Sequence, residues 1–327
     1  MTSPAGLETS DRYMAIARRW FTEGWTGDLA MADDIFSEDV RTNGVRVGVA
    51  ERARRLTARA GYLAEEDIMD LRLDGQTAVV TGASQGIGLA ITRGLVAEGV
   101  HVTAGALKSS AELDELSQTG LVRVVEVDLA DPGGPAALVA AAGDRIDILV
   151  NNVGAAPARP GGFAAITDED WQATLNLDLM AAVRTTRAAL PVMLAAGKGA
   201  IVNMSSVNAS LPDPGVLDYS AAKAALASFS KALSKEVGPA GVRVNTVSPG
   251  PVATDLWLGA DGVAATIGRA TGARPEDVAS HAASGTVTGR FSRPDEVAGL
   301  VLLLASDITA NMTGADIRID GGLVPTW

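Results

Sequence analysis

A chain of 327 residues, 47% of them hydrophobic, can bury a full core and has room for one large domain with an appendage. Its 39 acidic and 27 basic side chains leave a net charge of −12, which opposes a broad nucleic-acid or anionic-membrane surface. The absence of cysteine and the presence of only two histidines, His101 and His281, exclude disulfides, thiolate chemistry and a histidine-rich metal centre.

In chain order, the first 72 residues stand apart. They hold Tyr13, Trp20, Phe21, Trp25, Phe36 and Tyr62, six of the thirteen aromatics. The start, MTSPAGLETSDRYM, has neither the basic region nor the apolar core of a signal peptide, and no apolar run reaches the roughly 18 to 20 residues of a membrane span, so a cytoplasmic protein is expected. Ser10 reads as an N-cap, Ile16, Trp20 and Phe21 as one helical face, and Gly24 as a stop; GDLAMADDIFSED reads as a second short helix. Six arginines between residues 41 and 59 read as a solvated, salt-bridged helix face, with an anion site as the alternative.

From Leu73 onward, short β-branched runs alternate with longer helical stretches. The strands read TAVVTG, VHVTAG, VRVVEVDL, IDILVNNVG, AIVNMSS, VRVNTVSPG and ADIRID. Apolar runs of about five residues, each followed by a helical stretch, predict an α/β fold over residues 73–327: a Rossmann-type, doubly wound, parallel seven-stranded sheet covered on both faces. Residues 1–72 then form a small, mainly helical extension. Such a sheet binds ligands beyond the carboxyl ends of its strands.

The first strand runs into TGASQGIGLAITRGLVAEG. Gly82 allows a sharp turn, Gly86 allows backbone to approach a ligand, and Gly88 allows close helix-to-strand packing, while the helix start offers free N–H groups to a pyrophosphate. Steric demands of an ordinary strand-to-helix turn are the plainer reading of the same glycines. The second strand ends VTAGALKSS, where a site for NAD usually places a carboxylate for the ribose 2′-hydroxyl. Ala106 and Leu107 stand there instead, and Lys108 would meet a 2′-phosphate as a point charge or else remain a solvated loop residue. The expected cofactor is therefore NADP(H) rather than NAD(H).

Ser206 ends the strand AIVNMSS, and Tyr219 and Lys223 follow four residues apart, on one face of a helix. With TGASQGIG, NNVG, YSAAK and SPGPVATD in this order, residues 73–327 resemble the short-chain dehydrogenase/reductase family. The resemblance implies carbonyl–alcohol interconversion. Tyr219 would be the general acid/base on the substrate oxygen, Ser206 would hydrogen-bond that oxygen, and Lys223 would lower the phenol's pKa and hold the nicotinamide ribose. A phenol of pKa about 10 must move several units to exchange protons near neutrality, and an adjacent ammonium pushes it in that direction. Tyr219 is the sole tyrosine after Tyr62. By the same resemblance Ser84 and Ile87 join the glycine turn around the cofactor, Asp128 and Leu129 face the adenine, Asn152 and Gly154 line its path, and Pro249, Gly250, Val252 and Thr254 hold the carboxamide end. Relatives complete a catalytic tetrad with an asparagine that holds a relay water. Here Asp178 falls at that place, with Asn176 two residues earlier and turned by roughly 200° to the other side of the helix.

Between Thr254 and Phe291 the sequence lacks a strand pattern, and in this family the corresponding segment closes over substrate. Leu256, Trp257 and Leu258 suggest an apolar or ring-containing carbonyl or alcohol, or else a lid packed on its own domain. His281 reads as a surface residue. The resemblance also implies a homodimer or homotetramer built through residues 171–190 and 219–237. The stretch RYMAIARRWFTEGWTGDLAMADDIFSEDV resembles the opening helices of SnoaL-like polyketide cyclases, without the strands of their barrel. Two other classes remain open at this level: a non-catalytic NADP-binding sensor, and a cyclase or isomerase acting through the N-terminal module.

Overall fold

The computed structural model describes residues 70–326 and, ahead of them, the backbone at 41–42 and 45–46. The chain divides into two compact units, Met1–Met69 and Asp70–Trp327. In the first, Arg41–Thr42 and Val45–Arg46 pair as antiparallel strands, Arg41 opposite Arg46. This corrects the helix-face reading for those two arginines. The intervening Asn43-Gly44 is the dipeptide that most favours a two-residue hairpin. The helices read around Trp20 and Phe36, and the cyclase-like resemblance, lie outside the described residues.

The second unit is built on seven parallel strands: β1 (Thr77–Thr81), β2 (His101–Ala106), β3 (Val122–Glu126), β4 (Ile148–Asn151), β5 (Gly199–Met204), β6 (Val242–Pro249) and β7 (Asp316–Ile319). Their order across the sheet is β3-β2-β1-β4-β5-β6-β7. Each run was legible because a parallel strand covered on both faces is apolar at successive positions. In β4, Ile148 and Val150 enter one core and Leu149 the other. On the first face lie α1 (Gly86–Ala97), α2 (Ala111–Ser117) and α10 (Pro294–Ala305), which bury Ile91, Leu95, Leu113, Val297 and Val301. On the second lie α3 (Gly134–Ala141), α5 (Ala181–Ala196) and α6 (Leu217–Val237), which bury Leu138, Ala189, Met193 and Leu233. Each fully buried leucine or isoleucine contributes roughly 1.5–3 kcal/mol, and truncating Leu149 to alanine would cost about 2–5 kcal/mol.

Three short helices, α7 (Asp255–Leu258), α8 (Val263–Thr271) and α9 (Pro275–Ser284), form the strandless stretch before α10. Helix α4 (Asp168–Leu175) is joined to α5 by a π-helical turn, Asn176–Met180, giving one continuous run. That run, Asp168–Ala196, is long and apolar enough by composition to cross a membrane, which corrects the expectation that none would be. Its apolar stripe is spent on the sheet, where Ala181, Ala189 and Met193 are fully buried, and Asp178 sits inside it. The strand order reverses between β1 and β4, so the crevice for a ligand opens at their carboxyl ends.

Candidate active site

The glycine turn sits at that crevice. Gly82 leaves β1 at φ +66°, a conformation side chains disfavour, and a Cβ on Gly88 would lie 2.0 Å from the Gly82 carbonyl oxygen. Helix α1 therefore starts hard against the strand end. Its N-cap, Gln85, makes no side-chain cap bond, and its first turn carries no acid. The uncapped N–H groups and the positive end of the helix dipole fit a phosphate-bearing dinucleotide. Ser84 and Ile87 are half-buried beside the turn. Asn152, expected to line the cofactor's path, ties the end of β4 to the turn: its Nδ2 donates to the Thr81 and Gly82 carbonyls at 3.0 and 3.1 Å.

Lys108 is exposed just past β2 and makes no ion pair among the described residues. Glu126, at the end of β3, accepts a hydrogen bond from the Ser109 N–H at 2.9 Å and so fixes the loop that carries Lys108. That carboxylate escaped sequence reading because it reaches the β2 loop from the neighbouring strand. Asp128 is exposed, with Oδ1 accepting from Ala130 N at 2.8 Å, and Leu129 is buried beneath it. At the other end of the crevice Gly250 donates its N–H to the Ile319 carbonyl at 3.0 Å, following Pro249 out of β6. Val252 is buried and bridges to Ser292, and Thr254 stands half-buried against Gly86, whose Cβ would meet its methyl at 3.2 Å.

Ser206, Tyr219 and Lys223 converge at the carboxyl end of β5. Ser206 follows the strand directly, and its Oγ accepts from Asn208 N at 3.2 Å, which caps a short helical turn and fixes the serine's side chain. Tyr219 and Lys223 occupy the first turns of α6, with the Lys223 Nζ 5.5 Å from the phenol ring centroid. Lys223 is buried; Nζ donates to the Met204 carbonyl at 3.0 Å, and Ser205 Oγ donates to the Lys223 carbonyl at 3.1 Å, pinning α6 to the strand end. Burial pushes the phenol's pKa up and Asp178 adds to the rise, while Lys223 and Ser206 oppose both.

Asp178 lies in the π-helical turn, 1% exposed, with Oδ1 3.3 Å from Lys223 Nζ. Burial pushes its pKa up to about 6 against the pull of Lys223. Asn176 points away, as its offset requires: Nδ2 donates to the Ala130 carbonyl at 2.6 Å and Oδ1 accepts from Arg184. Gly154 packs against Asp178 and Lys223, beside the carboxylate that accepts from Ala155 N.

Sequence reading missed a buried ion pair beside the tyrosine. Arg159 Nη2 donates to Asp218 Oδ2 at 2.6 Å, Nη1 to Asp170 at 2.8 Å, and the Arg159 N–H to the Gly215 carbonyl at 2.7 Å. Thr174 Oγ1 also donates to Asp218, at 2.7 Å. Asp218 is fully buried; burial works against its charge, yet Arg159 and Thr174 hold its pKa below the ordinary value. The pair clamps the loop after β4, α4 and the residue preceding Tyr219 into one unit.

In the segment before α10, Trp257 packs edge-on against Phe291, ring centroids 5.2 Å apart, which anchors α7 to its own domain. Leu256 and Leu258 remain 40% and 52% exposed. His281 is exposed on α9. An open depression of about 550 Å³ lined by Leu258, Ala265, Arg269 and Pro275 does not reach Ser206, Tyr219 or Lys223.

A sequence model of the family described as enoyl-(acyl carrier protein) reductase matches residues 82–324. Among curated proteins, the 3-oxoacyl-[acyl-carrier-protein] reductase FabG of Thermotoga maritima is 35% identical over 262 residues, covering 78% of this chain and 100% of its own. D-Threitol dehydrogenase of Mycolicibacterium smegmatis is 38% identical over 264 residues, covering 77% of this chain and 94% of its own. Among solved structures, L-sorbose reductase from Gluconobacter frateurii, complexed with NADPH and L-sorbose, superposes with a TM-score of 0.72 at 34% identity, covering 79% of this chain and 100% of that one.

Proposed function

The chain belongs to the short-chain dehydrogenase/reductase family of NAD(P)-dependent oxidoreductases, and from that membership we propose that it interconverts a ketone and a secondary alcohol on a small metabolite, with NADP(H) preferred over NAD(H). The observation that carries this reading is the convergence of Ser206, Tyr219 and Lys223 at the end of β5, beside the uncapped start of α1. Gly82, Ser84, Gly86, Ile87 and Gly88 would cradle the pyrophosphate, Asp128 and Leu129 the adenine side, and Pro249, Gly250, Val252 and Thr254 the nicotinamide side. NADP(H), when bound, supplies or accepts the hydride. Tyr219 holds the proton at its phenolic oxygen and gives it to the substrate oxygen in reduction, or takes it back in oxidation. Ser206 donates a hydrogen bond to that same oxygen, where negative charge develops.

Lys108 supports NADP(H): it is an exposed cation at the end of β2, on a loop held by Glu126, at a strand end without its own carboxylate. The relatives' names include a keto sugar, a polyol and an acyl-carrier substrate, which have in common the carbonyl–alcohol pair. The exposed Leu256 and Leu258 near the bend at Thr254 favour an apolar or ring-containing member of that class here. Assembly as a homodimer or homotetramer belongs to the same reading. The test follows NADPH absorbance with a panel of ketones; oxidation with at least one is expected. NADPH binding without turnover on any of them would replace the reaction with a binding role.

A further inference from the structure

We propose that Asp178 sets the pH at which Tyr219 changes from acid to base: its carboxylate, paired with Lys223, cancels the ammonium's charge beside the phenol, so that Tyr219 keeps its proton through the neutral range. This rests on the reaction assigned above. The pair is enclosed. Asp178 is 1% and Lys223 3% exposed, with Nζ 3.3 Å from Oδ1. Both carboxylate oxygens accept from Ala155 N, at 3.2 and 3.4 Å. Glycine at 154 makes the room, since a Cβ there would stand 2.5 Å from Asp178 Oδ1 and 3.1 Å from Lys223 Nζ. Water screens buried charges poorly, so the phenol feels both groups.

Among the described residues, the surroundings add no second cation. From α6, Asp178 faces Lys223, Tyr219 and the negative charge of Asp218. The loop at 155 offers a backbone N–H. Arg184, from α5, is bonded to Asn176 on the opposite side of the helix, and Arg159 is committed to Asp218 and Asp170. Beside the phenol, then, one ammonium is offset by one carboxylate. The directions agree: burial raises the phenol's pKa, Asp178 raises it further, and Lys223 opposes. Burial holds Asp178 itself at about 6, so the pair is intact above that pH and Lys223 stands uncompensated below it.

The phenol can be titrated directly. Tyr219 is one of three tyrosines, so the alkaline rise of phenolate ultraviolet absorbance, taken as the difference from a Tyr219→Phe protein, isolates it. In Asp178→Asn the midpoint should fall by about one unit or more, tenfold in proton affinity, and the acid limb of alcohol oxidation, where the phenol must lose its proton to act as base, should move down in pH with it. Asp178→Ser, which removes the charge with less volume, should move the midpoint in the same direction. Midpoints unchanged in both variants would overturn the proposal even if ketone reduction is established. A shifted midpoint in a protein that turns over no ketone would uphold the charge balance and overturn the reaction instead.

Discussion

Removing one oxygen, in Tyr219→Phe, should abolish turnover and leave NADPH binding nearly intact, because the phenolic proton is lost while the ring stays in place. A general acid is typically worth 10² to 10⁴-fold, so stopped-flow turnover beside fluorescence titration of NADPH checks both halves of the expectation. Lys108→Ala should lower the preference for NADPH over NADH, read as the ratio of kcat/KM values, by on the order of tenfold, the effect of one lost charge contact. An unchanged ratio would return Lys108 to the role of a solvated loop residue. At this scale the placement of the candidate residues was largely legible: Ser206, Tyr219 and Lys223 sit at spacings that a strand end and one helical face explain, and Asn176 and Asp178 point opposite ways as a two-residue offset suggests, although the π-helical turn that carries them was not foreseen. Arg159 and Asp218 were not legible. They are 59 residues apart in the chain, on a loop and a helix start, and no periodicity relates a loop arginine to a distant carboxylate.

The clamp made by Arg159 belongs to the scale of elements, because it joins the loop after β4 to α4 and α6. Arg159→Met leaves the Asp218 carboxylate buried without its partner and should cost on the order of 3 to 5 kcal/mol, whereas Arg159→Met with Asp218→Leu should restore much of that loss. Urea unfolding of both variants measures the difference. Helix α10 carries a pH-dependent cap: Glu296 accepts from the Arg293 N–H at 2.7 Å and pairs with Arg290. The Arg290 hydrogen bond, with the cap bond second, lowers its pKa to about 2. A lowered folded-state pKa contributes stability that is present above the ordinary carboxylate value and is lost as pH falls through about 2. Glu296→Gln should therefore lower Tm by up to a few degrees near neutrality, with the gap from the parent closing as the pH drops. The seven strands were legible from β-branched runs covered on both faces. The short hairpin at 41–46 was not, because its arginines drew the reading towards a helix and its strands are only two residues long.

For the whole molecule we expect residues 70–327 to fold and bind NADPH without the segment before them. All seven strands of the sheet come after residue 76, and Leu73, at the head of this unit, is already buried in its core. Thermal melting of a chain lacking residues 1–69, with and without NADPH, checks this; a soluble product that no longer binds NADPH would place the first unit within the active fold. The net charge of −12 implies that the chain's copies repel one another at long range, so any homo-oligomer should tighten as salt is added. The longest helical run among the described residues ties these scales together. Its two halves, Asp168–Leu175 and Ala181–Ala196, are locked to different partners: one to the Arg159 clamp, the other to the sheet. An extra residue in a regular helix would rotate everything beyond it by about 100°, so the π-helical turn absorbs a phase error between two fixed surfaces. Asp178 lies inside that correction. The register of Asp178 can therefore be retuned independently of the fold: deleting one residue from the turn would rewind it to ordinary pitch, leave both halves seated, and swing the carboxylate off Lys223.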